Sequence, residues 1–361
     1  MGLFYGRQSS SRGRVSFGRL RTVPITLLIL VVAAASALSP SLAEDDPTGD
    51  VTEAEESADS EEDADAVMRT TDRQLHRFRI ADGVDLVGHE QRASARAEDT
   101  LLDVGKRFAV GYEQIRMANP GVDTWLPGEG TEIRIPSRYI LPDAPREGIV
   151  VNLAEMRLYH YPEGEDVVEI FPVSIGRMDW STPLGETQIT GLIEDPAWYP
   201  PKSIREQAAE RGETLPREIP PGPDNPLGRH AILLDIQGYL LHGTNRPWGI
   251  GMRATHGCIR LHPHDIAYLF GQVGVGTPVK IVNQPFKAGW GEDGSLYMQA
   301  YPFFEEETPD RQTRVEMAVE AVSRALGERA HRVDGALVRA AAEEQDGSVL
   351  RISRSAAEVH R

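Results

Sequence analysis

The sequence predicts a mainly β protein: an antiparallel β-sandwich or barrel, preceded by a small βααβ module. From Gly148 onward, short apolar runs are separated by Gly and Pro turns, the pattern of many short strands packed face to face. Ahead of them, two helical patterns lie between two strand-like ones within residues 76–137. Hydrophobic residues make up 40% of the chain and charged residues 26%, which is enough apolar material for a core.

The 361 residues carry 38 Lys+Arg against 55 Asp+Glu, a formal charge of −17, which argues against a nucleic-acid binder. One cysteine, Cys258, excludes an internal disulfide framework and any CxxC metal or redox pair. Residues 1–43 hold five arginines and no acid. Their apolar run VPITLLILVVAAASA and the small residues Ser41 and Ala43 before Glu44 read as a cleavable signal peptide, so the working compartment is expected to be the periplasm. An uncleaved anchor is the alternative. Residues 44–66 contain twelve acids and no base, so a solvated acidic linker is expected over 44–75.

In the module, Asp99 or Thr100 caps a helix through Phe108, and Gly111 ends it. Tyr112, Ile115 and Met117 mark a second helix, closed by Asn119-Pro120-Gly121. Ile133–Ile135 alternates like a strand, with Gly83–Val87 as its expected partner. DTLLDVGKRF (Asp99–Phe108) and ANPGVDTWLPGEGTEIRIP (Ala118–Pro136) resemble the LysM peptidoglycan-binding module, though the charged stretch GHEQRASARAE replaces its usual front. The resemblance implies glycan binding over 76–137; a spacer that packs on its neighbour is the alternative.

In the main domain, Ile149–Leu153 and Met156–Tyr161 read as strands joined by a tight turn. Val167–Ile175 and Ile189–Ile193 follow, and Ala231–Leu234 with Tyr239–His242 form a hairpin about Gly238. The proline-rich insert 196–228, with a helical stretch at Ser203–Arg211, reads as a lid or wall beside a site. Residues 286–361 form a C-terminal extension. Within it 308–345 reads helical, with Val315, Val319, Val322 and Leu326 on one stripe.

The chemistry concentrates between His242 and Leu261. Cys258 sits in a Thr-His-Gly-Cys turn rather than an apolar run, and a lone exported thiol is an oxidation liability unless it is used. Glycine before a nucleophile permits close approach of a reacting carbonyl, and successive N–H groups at His256, Gly257 and Cys258 suit an oxyanion hole. A sixteen-residue separation lets His242 return to the thiol as general base and then acid. A buried structural cysteine remains an alternative, as does a zinc site drawn from His242, His256, Cys258, His262 and His264, although no HExxH or paired CxxC spacing exists. His262 and His264 are read as structural.

HGT at His242–Thr244 and THGCIRL at Thr255–Leu261 resemble the L,D-transpeptidase signature, over roughly residues 147–292. Flanking stretches extend the match: VVNLAEMRLYHYP, STPLGE at Ser181–Glu186, DPAWYPP at Asp195–Pro201 and PGPDNPLG at Pro221–Gly228. The resemblance puts the catalytic domain at 147–285. It implies Cys258 as nucleophile, His242 as its partner and the Gly243 carbonyl as third element. It also implies that His256 and Gly257 shape the nucleophile turn, and that Arg260 holds a substrate carboxylate. Trp248 and Tyr199 are candidate groove walls or core residues. The implied reaction attacks diaminopimelate in a peptidoglycan tetrapeptide stem, releases D-alanine and passes the acyl group from Cys258 to an amine. That amine belongs to another stem (a 3→3 cross-link), to an outer-membrane lipoprotein lysine or to an amino acid; with water the product is that of a carboxypeptidase. No metal or organic cofactor is implied. A non-catalytic wall-binding protein and a zinc amidase remain the rival classes.

Overall fold

The computed structural model describes residues 73–177 and 182–353, so the export signal expected at 1–43 and the acidic run at 44–66 lie outside the described residues. All described residues belong to one compact unit. Its N-terminal part contains β1 (His76–Arg79), β2 (Leu86–Gly88), β3 (Gln91–Ser94), α1 (Leu101–Arg107), α2 (Tyr112–Ala118), β4 (Glu132–Ile135) and β5 (Arg138–Ile140). Thr100 is the N-cap of α1: its Oγ1 accepts from the Asp103 N–H at 3.2 Å, and the Asp103 carboxylate accepts from the Thr100 N–H at 2.9 Å. Leu101, Val104, Ile115, Ile133 and Ile135 form a small core beneath the two helices.

The partner of β4 is β3, not the expected Gly83–Val87; Ala93 lies opposite Ile133. Leu86–Gly88 pairs instead with β5. The strand Gln-Arg-Ala-Ser has no apolar alternation to announce it, because Ala93 alone faces the module's core. β1 leaves the module altogether and pairs antiparallel with β8 (Val167–Gly176) in the main sheet, His76 opposite Ile170.

That main sheet closes on itself. β6 (Gly148–Asn152), β7 (Arg157–Tyr161), β8, β9 (Gly185–Glu194), β10 (His230–Leu234), β11 (Leu240–His242), β13 (Ile259–Leu261) and β14 (Pro278–Val282) form a ring in the order β8-β13-β11-β10-β9-β14-β6-β7, and β7 pairs back onto β8. β12 (Arg253–Thr255) adds to β8. The expected barrel is present, but it is not wholly antiparallel: β11 with β13 and β14 with β6 run parallel. A parallel neighbour requires a crossover. The chain between β11 and β13 supplies one, and it carries the candidate nucleophile. Residues of alternate parity, among them Ile149, Val151, Leu158, Phe171, Val173, Leu241, Ile259 and Leu261, fill the barrel, with α4 (Pro263–Phe270) covering them through Ile266 and Leu269.

The opposite parity is also buried. Val150, Tyr159, Tyr161, Val168 and Ile170 pack outward against Val87 and Tyr139 of the N-terminal part. The C-terminal extension is more than a helix. β15 (Phe286–Trp290), β16 (Leu296–Ala300) and β17 (Val349–Arg351) form a three-stranded sheet covered by α5 (Arg311–Leu326) and α6 (Gly335–Glu344). The helical stretch expected as one is broken after Gly327. The buried stripe of α5 runs through Ala318, Ala321 and Val322, and Val319 is 49% exposed, since small alanines let the helix approach the sheet closely. Among the described residues no helix is long and apolar enough to cross a membrane.

These parts meet on a buried charge cluster. Glu155, in the 3-10 turn between β6 and β7, takes both oxygens to Lys287 Nζ at 2.8 Å, and one of them to Arg157 at 3.0 Å and another to Asn152 at 2.7 Å. Lys287, on β15, also donates to the Ile140 carbonyl at 2.5 Å, and Gln114 on α2 donates to the Glu155 carbonyl at 2.7 Å. Removing one member of a buried ion cluster leaves an uncompensated charge. Lys287→Ala is therefore expected to cost about 3–5 kcal/mol, and Glu155→Gln with Lys287→Met to recover most of the loss in urea unfolding. A second expectation concerns acid. Burial drives His76 down to about 3 and His262 down to about 4. Each stays neutral when folded and takes up a proton on unfolding below its ordinary value of about 6.5, so stability falls as pH drops from there toward 4. Calorimetry should show Tm falling from pH 7 to 5, with about two protons bound per unfolding event near pH 5 from these two groups and a third from His242, which burial likewise holds at about 3.

Candidate active site

β11 ends at His242, and β13 begins directly after Cys258. Their parallel register sets Leu241 opposite Ile259 and His242 opposite Arg260. Leu241, Ile259 and Leu261 point into the barrel, so the period of two sends His242, Cys258 and Arg260 to the other face of the sheet. The sixteen-residue separation closes as a loop between adjacent strands.

His242 is buried, and its Nδ1 lies 2.7 Å from the Gly243 carbonyl oxygen. A carbonyl only accepts, so Nδ1 carries the proton and Nε2 keeps its lone pair. Burial and then the Arg260 guanidinium push this imidazole down to about 3, against the pull of the Gly243 and Leu227 carbonyls. It is neutral at ordinary pH. Burial likewise pushes the Cys258 thiol up, with the Leu240 N–H and Arg260 opposing. Sγ donates to the Gly238 carbonyl at 3.6 Å and makes no hydrogen bond to His242. The resting pair is a thiol and an imidazole, not a thiolate and an imidazolium.

The nucleophile turn is tightly fixed. Gly257 has φ +100°, and a Cβ there would fall 2.8 Å from the Tyr239 ring. Thr255 Oγ1 donates to the Cys258 carbonyl at 2.5 Å, and Thr182 Oγ1 donates to the Gly257 carbonyl at 2.8 Å. Thr182 also accepts from the Gly176 N–H at 3.2 Å, tying the turn to β8. The turn is braced from the module as well: the first two N–H groups of α2 donate to the carbonyls of Ile250 and Gly251. Gly251 (φ +92°) faces Gly111 there, and a Cβ on it would lie 2.5 Å from the Gly111 Cα.

His256 Nε2 lies 3.1 Å from Arg177 Nη2. A guanidinium only donates, so Nε2 accepts and the proton sits on Nδ1. Burial and the charges of Arg177, Arg260 and Arg211 lower its pKa. The same Arg177 Nη2 donates to Gln207 Oε1 at 2.8 Å on α3 (Lys202–Glu210), which brings the insert 196–228 beside the nucleophile turn. Trp248 and Tyr199 are 66% and 64% exposed, so neither is a core residue.

The structure thus gathers His242, Gly243, His256, Gly257, Cys258 and Arg260 at one edge of the barrel. His262 is the N-cap of α4, its Nδ1 accepting from the His264 N–H at 3.3 Å. Among the described residues no group of three or more His, Cys, Asp or Glu is placed to hold a metal ion. Sequence reasoning missed Arg177, Gln207, Tyr239 and the bracing role of Thr182. Only Thr182 had a signal, the STPLGE stretch.

Alkylation of Cys258 tests the resting state: its midpoint should lie above that of a free thiol, about 8.5, when labelling is followed against pH. A midpoint well below 7 would mean a preformed ion pair.

Comparison with known proteins identifies the family. The YkuD family, the L,D-transpeptidase catalytic domain, matches residues 146–281. Probable L,D-transpeptidase YcfS of Escherichia coli (strain K12) is 43% identical over 215 residues, 58% of this chain and 67% of that one. Probable L,D-transpeptidases ErfK/SrfK and YbiS of the same strain are 43% and 41% identical over 223 residues, 61% of this chain and 72% of each of theirs. With its cysteine turn, its carbonyl-anchored histidine and these relatives, the chain belongs to the L,D-transpeptidase family.

Proposed function

We propose that the protein transfers the acyl group of peptidoglycan tetrapeptide stems through a thioester on Cys258. The observation that carries this reading is the His242 Nδ1–H held on the Gly243 carbonyl, which fixes the tautomer so that the lone pair sits on Nε2 and can serve as a base. As Sγ attacks the diaminopimelate carbonyl, its proton passes to Nε2. The Gly243 carbonyl then stabilises the imidazolium that forms. Backbone N–H groups of the turn at His256–Cys258 face the developing oxyanion, and Arg260 holds a substrate carboxylate. His242 returns the proton to the departing D-alanine amine, and the thioester remains. An incoming amine repeats the sequence in reverse. The thioester conserves the energy of the cleaved amide, so no nucleotide is consumed.

The acceptor is another stem, giving a 3→3 cross-link, or a lipoprotein lysine, and water gives the carboxypeptidase product. Export to the periplasm follows from the N-terminal sequence, and the LysM-like module supplies the glycan contact, with Trp125 and Leu126 exposed on its loop. Incubating the protein with tetrapeptide fragments should give one thioester adduct on the Cys258 peptide by mass spectrometry and cross-linked muropeptides in the product. Cys258→Ala should abolish both while costing at most about 1–2 kcal/mol of stability. His242→Ala should lower turnover by about 10²–10⁴. Turnover retained in Cys258→Ala would refute the mechanism.

A further inference from the structure

Acids outnumber bases in this chain, and several of its buried arginines are paired with them: Arg73 with Asp265, Arg107 with Asp99 and Arg157 with Glu155. Around the nucleophile turn the pattern reverses. Arg260 is opposed by no carboxylate among the described residues, and its Nε is buried without a hydrogen-bond partner. Among the described residues the acceptors of Arg177 are neutral, His256 Nε2 and Gln207 Oε1, and its Nε is likewise buried and unpartnered. The charges of both act on His256. Two guanidinium groups with buried, unpartnered Nε atoms, facing no carboxylate among the described residues, gain charge-assisted hydrogen bonds when an anion arrives. A lone arginine at the motif position needs one anion; a second needs another.

In a tetrapeptide stem the two residues that share the attacked bond each carry a carboxylate. One is on the residue that leaves, three bonds from the attacked carbon. The other is at the far end of the diaminopimelate side chain. Arg260 interacts electrostatically with the thiol itself, so it serves the nearer carboxylate. Arg177 is bound instead to the His256 ring and to Gln207 of α3, and so is the candidate for the carboxylate on the longer side chain.

We propose that Arg177 is a substrate-binding residue that, paired with Arg260 astride the nucleophile turn, takes the side-chain carboxylate of diaminopimelate and so selects stems in which that group is not amidated. This rests on the transpeptidase reading above. Its hydrogen bond to Gln207 makes the same guanidinium a link between the bound stem and the insert.

The test uses the full chain and three soluble donors: the native tetrapeptide fragment, its terminal carboxamide and its diaminopimelate side-chain carboxamide. Wild type should lose at least tenfold in kcat/KM on the side-chain amide. Arg177→Ala should lose tenfold to a hundredfold on the native donor, mainly through KM, and lose no more on the side-chain amide, while its penalty for the terminal amide stays at the wild-type value. Arg177→Lys should restore part of the discrimination, because it keeps the charge without the fork. Ratios between donors within one variant are independent of the fraction folded. Equal loss on all three donors in both variants would make Arg177 a structural brace and overturn the proposal, as would no loss at all. A wild type that forms its thioester equally with all three donors overturns this assignment alone; one that forms it with none overturns the transpeptidase reading as well.

Discussion

One buried carboxylate, Glu155, is the constraint on which the arrangement depends. It sits in the turn between two barrel strands, its oxygens on Lys287 from the C-terminal sheet and Arg157 from the barrel, while its carbonyl accepts from Gln114 of the module. Ions in such a place are tolerated only with complete partnering, so the three parts must assemble together or leave charge stranded. The same logic explains why strands β6 to β8 are buried on both faces. A barrel standing alone would wet its outer side; here Val87 and Tyr139 of the module and Lys287 and Tyr301 of the C-terminal layer lie against it. Folding of the barrel and docking of its neighbours are one event.

This coupling reaches the reacting atoms. The carbonyls of Ile250 and Gly251, inside the crossover that carries the nucleophile, are satisfied by the first N–H groups of α2. β1 completes an edge of β8, whose far end is stitched to the Cys258 turn through Thr182 and the Arg177 N–H on the Thr255 carbonyl. The module is thus a wall of the loop as much as an appendage. The parallel β11–β13 contact supplies the remaining precision: in a parallel pair each residue has a fixed neighbour across the ladder, and His242 and Arg260 hold that relation without any loop residue deciding it.

Much of this was legible in the sequence, for identifiable reasons. Barrel strands announced themselves by alternation and by turn residues, as in the Gly238 hairpin. Thr100 and Asp103 formed the box that residue types at that spacing suggest. The histidine, glycine and cysteine of the site lay in one short stretch whose chemistry could be argued directly. What escaped was set by tertiary contact. Gln91–Ser94 is a strand because β4 lies beside it, and its own residues do not favour one. β1 reads His-Arg-Phe-Arg and joins a distant sheet. The parallel joints could not be read, since strand direction leaves no mark in composition. Arg177 and Gln207 are ordinary polar residues until the fold sets them against His256.

The thiol's hydrogen bond to the Gly238 carbonyl has a protective side. Peroxide and disulfides attack thiolates, and a cysteine kept protonated by burial presents them with very little. The chain has no second cysteine to capture a sulfenic acid as an internal disulfide, so only an external thiol could intercept it before further, irreversible oxidation. By withholding the thiolate until a carbonyl and a proton acceptor are present together, the site trades idle reactivity for chemical longevity.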